Sequence, residues 1–274
     1  MSSDRPIGIF DSGVGGLSVL RAIRRQMPGE SVVYFGDQGH VPYGPRRVEE
    51  VQAFSEGIVR FLIGQDVKLV VVACNAASAA ALHYLRDKFT DLPIVGMEPA
   101  VKPAAETTQS GVVAVLATPA TFQGALYASV VERFAGNVTL LQSTCPGLVQ
   151  QIERGQLDNV ETRAILESAL QPMLAEGIDT VVLGCTHYPF VIPLIQEIVG
   201  PGVRVIDPAP AVARQAGRLL DAAGTRSDNT RQGRLLFYTS GDASQFRLIL
   251  PELLGDPGEV HQVFWGANQV YLNK

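Results

Sequence analysis

The stretch VVVACNAASA (70–79) decides the fold. Three valines and an alanine run without a polar residue into Cys74 and Asn75, and small, helix-forming residues follow at once. An unbroken apolar run that opens directly into a helix is the mark of a strand buried on both faces, as in a parallel sheet covered by helices. TVVLGCTHYP (180–189) does the same thing a second time. Working outward, strand-like runs at 6–10, 31–35, 69–73, 94–95, 112–116, 138–142, 180–183, 203–206 and 235–238 alternate with helical spacing, as at 17–26, 49–63 and 162–175. The expected fold class is therefore α/β with mostly parallel sheets, and ligands are expected outside the carboxyl ends of the strands.

An internal repeat organises the chain. Residues 70–104 and 180–216 both read strand, Cys, helix, strand, acidic residue (Glu98 or Asp207), Pro-Ala and a further helix. Upstream, IGIFDSGVGGLSVL (7–20) parallels VVAVLATPATFQGAL (112–126), with Asp11-Ser12 matching Ala117-Thr118. Two similar, pseudo-symmetric, doubly wound domains are expected, the first from 1–98 with 210–274 and the second from 99–209, with the active site in the cleft between them. Residues 222–234 read as a polar surface loop.

Composition narrows the function classes. The chain has 274 residues, 46% hydrophobic and 18% charged, with a net charge of −5. It lacks the basic stripe of a nucleic-acid surface. No leader pattern opens the sequence, and the apolar region 69–82 is too short and too polar to span a bilayer, so a cytoplasmic protein is expected. Three cysteines, Cys74, Cys145 and Cys185, make no disulfide framework, and no CxxC is present.

One strand-end cysteine is readily explained as packing. Two, at matching positions of two halves, suit a reaction that needs equivalent thiols on opposite faces of one carbon. Racemisation is such a reaction: one thiolate removes a proton and the opposite thiol delivers one. Helix-start N–H groups favour a thiolate at such a position, and His187 and Asp11 stand nearby to assist. The glycine-rich turn 11–16 offers backbone donors to an anion but is no dinucleotide fingerprint. Residues 42–44 (PYG) read on their own as a type II turn. Asn75, Ser78 and Thr186 add polar donors, and no Arg or Lys occurs in the cysteine or glycine-turn motifs, so neither a salt-bridged substrate nor a pyridoxal Schiff base is expected there. A zinc site on Cys185 and His187 lacks further ligands at suitable spacing. Cys145 and Trp265 read as structural, His83 and His261 as lacking a chemical partner, and Asp37 and His40 as residues that order the loop before PYG or serve the site.

IGIFDSGVGGLSVL, GDQGHVPYGPR, VVACNAASA and LGCTHYPF resemble, in order and spacing, the motif series of the cofactor-independent aspartate/glutamate racemases, the glutamate racemases in particular. The similarity runs over essentially the whole chain. It implies an isomerase that interconverts L- and D-glutamate with no cofactor and no metal, and that supplies D-glutamate for peptidoglycan, hence cell-wall biogenesis and cell shape. By the resemblance Cys74 acts on D-glutamate and Cys185 on L-glutamate, with Asp11 and His187 assisting. Asp11, Ser12, Pro42, Tyr43, Gly44, Asn75, Ala76, Thr118, Thr121, Glu153, Thr186 and His187 line the substrate. The expected partners are the small-molecule substrate glutamate and a second copy in a homodimer, without nucleic acid or membrane. Ala76 departs from the family, which commonly has Thr there, so a hydroxyl contact is lost. Two alternatives stay open. One is a racemase of the aspartate or hydantoin type, against which His187 speaks because those relatives carry Glu there. The other is a bilobal small-molecule binding protein, which leaves the paired thiols unexplained. A dithiol redox protein would bring Cys74 and Cys185 to disulfide distance.

Overall fold

The computed structural model describes residues 3–256, 258–267 and 269–272. The chain divides into two compact units, Met1–Met97 with Ala209–Lys274, and Glu98–Pro208. Each crossing falls one residue before the position expected from the repeat.

The first unit opens with β1 (Ile7–Asp11), α1 (Leu17–Gln26), β2 (Val32–Gly36), α2 (Val48–Gly64), β3 (Leu69–Val72), α3 (Asn75–Lys88) and β4 (Ile94–Gly96). The second unit holds α4 (Val101–Thr107), β5 (Val112–Ala117), α5 (Pro119–Gln123), α6 (Ala125–Phe134), β6 (Thr139–Ser143), α7 (Leu148–Glu153), α8 (Val160–Ala175), β7 (Thr180–Gly184), a 3-10 turn at Tyr188–Val191, α9 (Ile192–Val199) and β8 (Arg204–Ile206). The chain then returns to the first unit with α10 (Ala209–Ala222), β9 (Leu235–Thr239), α11 (Ala243–Leu254), β10 (Glu259–Gly266) and β11 (Gln269–Leu272).

The first sheet has the order β11-β10-β9-β2-β1-β3-β4 and the second β6-β5-β7-β8. All pairs are parallel except β10 with β11. The order β2-β1-β3-β4 thus recurs as β6-β5-β7-β8, which is the repeat seen in the sequence, and β9 to β11 extend the first sheet only. In each sheet the winding direction reverses between the first strand of the repeat and its third, β1 and β3 or β5 and β7. A crevice opens there because the flanking connections leave to opposite faces.

Both faces of the first sheet are covered. Phe10, Val33, Phe35, Val70 and Val72 pack with Ile58 and Leu62 of α2 and Leu82 of α3. Tyr34, which points the other way along β2, meets Phe237 and Phe246 with ring centroids 6.0 and 6.1 Å away. In the second unit Val113, Val115 and Ala117 of β5 pack with Val182 of β7 and Tyr127 and Val130 of α6. Each such Val, Leu, Ile or Phe side chain contributes about 1.5–3 kcal/mol by burial.

A buried ion pair closes the amino end of the first sheet. Lys68 Nζ lies 2.7 Å from Glu30 Oε2, with the two side chains 1% and 2% exposed. The same ammonium donates to the carbonyls of Ser3 and Thr225, and Glu30 Oε1 accepts from the Ser227 N–H. The polar segment 222–234 is therefore pinned at Thr225 and Ser227. Lys68→Met leaves the carboxylate buried and unpaired and is expected to cost about 3–5 kcal/mol in urea unfolding. Lys68→Met with Glu30→Leu should recover most of that loss. A single-variant cost below about 1 kcal/mol, the worth of an exposed pair, would contradict this.

Candidate active site

In the first unit the carboxyl ends of β1 and β3 lie side by side, since Phe10 is paired with Val72 and Ala73 N–H donates to Phe10 O. Asp11 and Ser12 leave β1, and Cys74 follows β3. The turn between Asp11 and α1 folds back on itself. Gly13 N–H donates to Asp11 Oδ2 at 3.0 Å, and the wholly buried Tyr34 hydroxyl donates to Gly13 O at 2.8 Å. Only glycine fits at position 16: a Cβ there would stand 2.8 Å from Asp11 Cβ and 3.0 Å from Ala73 Cβ.

Cys74 caps α3. Its Sγ accepts from Ala77 N–H at 3.4 Å and donates to Ser12 Oγ at 3.7 Å. The helix-start geometry expected from the sequence is present, yet it does not lower the thiol's pKa. Burial pushes Cys74 far above the usual thiol range, and the charge of Asp11 adds to this, against the smaller opposing effects of Ala77 N–H and Ser12. Next to it, both amide atoms of Asn75 are buried and have no hydrogen-bond partner among the described residues. A buried amide left unpaired costs free energy, and a polar ligand would recover it. Ala76 is partly buried against the apolar core. Ser78 is a different case from the donor expected: its hydroxyl donates to Val72 O and accepts from Met97 N–H, so it braces β3 and β4.

The loop after β2 stands beside these groups. Tyr43 is 1% exposed and its hydroxyl donates to Asp37 Oδ2 at 2.6 Å. Burial raises the Tyr43 phenol well above its ordinary value, followed by Asp37, Cys74 and Asp11. The phenol is thus engaged, while Pro42 is exposed and Gly44 half-buried. The turn here spans Tyr43 to Arg46, whose N–H donates to Tyr43 O, so Gly44 and Pro45 form its centre instead of Tyr43.

The second unit repeats the placement. Ala117 pairs with Gly184, so Thr118 and Cys185 leave neighbouring strands together. Gly184 is required here because a Cβ would stand 2.7 Å from Ala117 Cβ. Thr118 and Thr121 share a hydrogen bond, and Thr121 Oγ1 donates to Gly184 O. Thr186 is buried beside Cys185. Cys185 Sγ lies 3.7 Å from His187 Nδ1, and His187 Nε2 lies 2.6 Å from Glu153 Oε1 at the end of α7. Burial alone would lower His187, but its hydrogen bonds to Cys185 and Glu153, and their negative charge, raise it well above its ordinary value. A ring protonated on both nitrogens donates to sulfur on one side and to carboxylate on the other, so it stabilises negative charge on Cys185 Sγ.

Asp11, Ser12, Tyr43, Cys74 and Asn75 thus gather in one unit, and Thr118, Thr121, Glu153, Cys185, Thr186 and His187 in the other. Sequence reasoning missed three groups. Tyr34 reads as a core aromatic, and nothing local reveals its hydrogen bond to Gly13. Cys145, read as structural, is buried with a left-handed φ of 42°; burial pushes its thiol up to about 11, and Cys185 contributes. Tyr188 feels both of these thiols and donates to Thr144 O. Among the described residues no three His, Cys, Asp or Glu side chains are grouped to hold a metal ion, and no helix is long and apolar enough to cross a membrane.

The chain belongs to the Asp/Glu/Hydantoin racemases, since the sequence model of that family matches residues 7–216. Within that family the chain is 48% identical over 259 residues to a glutamate racemase of Ectopseudomonas mendocina, which covers 94% of this chain and 98% of that one. Among solved structures, glutamate racemase of Bacillus anthracis superposes with a TM-score of 0.84 at 34% identity, over 97% of this chain and 98% of that one. Escherichia coli glutamate racemase, in complex with L-glutamate and the activator UDP-MurNAc-ala, superposes with a TM-score of 0.83 at 31% identity, over 96% and 100%.

Proposed function

We propose that this chain interconverts L- and D-glutamate by two proton transfers at the α-carbon, Cys185 serving the L enantiomer and Cys74 the D enantiomer. The observation that carries the reading is the doubled site: Cys74 beside Ser12 and Asp11, and Cys185 beside His187 and Glu153, at corresponding ends of corresponding strands. In the L-to-D direction the Cys185 thiolate, stabilised by the His187 imidazolium, takes the α-proton. The Cys74 thiol donates its proton to the opposite face. Burial raises the Cys74 thiol, which favours its keeping that proton until the carbanion forms. Return in the other direction requires Cys74 to lose the proton, and the nearby Asp11 carboxylate is the group to accept it. Asn75, Ser12, Thr118, Thr121 and Thr186, with the backbone at Tyr43-Gly44, hold the substrate's charged groups. The named relatives and the intact Cys74–Cys185 plan support glutamate as substrate, and His187 in place of Glu supports it over an aspartate- or hydantoin-type substrate.

Further parts of the reading are a cytoplasmic homodimer that supplies D-glutamate to peptidoglycan synthesis. They rest on the resemblance to the glutamate racemases.

The direct test is the circular-dichroism signal of L-glutamate, which should decay to zero on addition of the purified protein alone. Run in heavy water, the same reaction should give D-glutamate carrying solvent deuterium from the first turnover, while recovered L-glutamate stays protiated early on. Product that retains the original proton would point to a single base and sink the two-thiol mechanism.

A further inference from the structure

Asp37 is wholly buried and saturated with donors. Oδ2 accepts from the Tyr43 hydroxyl at 2.6 Å, and His40 Nδ1 lies 3.0 Å from the same oxygen. Oδ1 accepts from Ser240 Oγ at 2.5 Å and from Trp265 Nε1 at 2.8 Å. The donors fall into two kinds. Tyr43 and His40 belong to the loop that follows Asp37. Ser240 and Trp265 lie 203 and 228 residues further on, at the end of β9 and within β10. Asp37 itself is held at the end of the sheet, where its N–H donates to Asp11 O, and the strand donors fix where its carboxylate sits between sheet and loop. The same strands hold the loop in two further ways. Gly39 N–H donates to Ser240 Oγ at 3.0 Å. The Trp265 ring stands edge-on to His40 and to Phe54, on which His40 is stacked at 4.0 Å.

We infer that Trp265 and Ser240 are positioning residues for the reaction: acting through the Asp37 carboxylate, they fix the 38–46 loop so that Tyr43-Gly44 meets the substrate in one conformation. A buried carboxylate holds several donors in a fixed arrangement because each unpaired lone pair would be costly. Removing one strand donor leaves the others in place but loosens the hold of the sheet on the loop. The kinetic part of this inference rests on the glutamate reading; the clamp itself does not.

The test uses Trp265→Phe, which keeps an aromatic ring at the position and deletes the N–H donor, and Ser240→Ala as a second change that leaves the ring packing of Trp265 intact. In the ligand-free protein, hydrogen exchange of amides 38–46 should quicken about tenfold in Trp265→Phe, the equivalent of one lost hydrogen bond, and at least as much in Ser240→Ala, which loses the bonds to both Asp37 and Gly39, with the rest of the sheet unchanged. KM for glutamate should rise about five- to thirtyfold, while kcat falls less than about threefold, because the loop binds substrate and carries no proton. In a Tyr43→Phe background, which already removes the contact that links Tyr43 to Asp37, Trp265→Phe should add less than half of its single effect. Unchanged exchange at 38–46 overturns the clamp. Quickened exchange with KM within twofold of wild type, or full additivity with Tyr43→Phe, overturns the positioning role. A wild-type protein inactive on glutamate overturns the functional reading instead, and the exchange data then decide the clamp alone.

Discussion

Cys74→Ala and Cys185→Ala are each expected to lower racemisation in both directions by at least about 10³-fold, because in the proposed mechanism each thiol is the base in one direction and the acid in the other. Substrate binding should weaken far less, since amide, hydroxyl and backbone donors hold it; calorimetric titration with glutamate reads this. Cys74→Ala also removes the sulfur that accepts from Ala77 N–H, which should cost about 1 kcal/mol of stability as a lost helix cap. Cys74→Ser restores a capping oxygen and remains inactive, because a serine hydroxyl is a far weaker acid than a thiol. That separates loss of chemistry from loss of fold. Each single variant keeps one working base. Cys74→Ala should still exchange the α-proton of L-glutamate with heavy water without inverting it, and Cys185→Ala that of D-glutamate. Near-normal racemisation by Cys74→Ala would return Cys74 to the role of a packed core residue.

His187→Ala is expected to reduce kcat/KM by about 10²–10⁴-fold, the usual worth of positioned acid–base assistance. The reduction must be equal in the two directions, since the enantiomers are of equal energy in water. Asymmetry appears instead in the isotope effect. Without the imidazolium beside its sulfur, the Cys185 step becomes fully limiting, so α-deuterated L-glutamate should show a larger primary effect and α-deuterated D-glutamate a smaller one. Glu153→Gln should act in the same sense but more weakly, because it touches the ring and not the thiol. Unchanged kcat/KM in His187→Ala would dismiss the assisting role. The raised His187 value also sets a stability profile. A folded-state value above the ordinary 6.5 contributes stability that is complete below that pH and is lost as pH rises through the raised value. The alkaline fall in stability should therefore be shallower in His187→Ala than in wild type.

The sequence by itself determined the repeating architecture. Unbroken valine and leucine runs bury both faces of a strand, and the matched runs around Cys74 and Cys185 report the repeated strand order. All nine expected strands are present within a residue or two of their expected bounds. The two strands without an expected range are β10 and β11. Only Val260 and Val263 of β10 are buried, while Glu259, Gln262 and Phe264 are exposed. A strand so placed carries no unbroken apolar run to read. The two thiols were legible because the same strand, Cys and helix pattern occurs twice in the sequence.

What only the tertiary structure decided are the partners that arrive from far along the chain. His187 stood beside Cys185 in sequence, but its 2.6 Å contact to Glu153 depends on α7 closing over the end of β7. The strong upward push on the Cys74 thiol depends on burial and on Asp11, neither visible in CNAAS, where helix-start donors alone argue the other way. Ser240 and Trp265 reach Asp37 across more than two hundred residues because parallel strands distant in sequence lie side by side in one sheet. Periodicity reports which face of an element is apolar; it carries no information about which distant side chain will meet a given polar atom there, and that is fixed by the order in which the strands assemble.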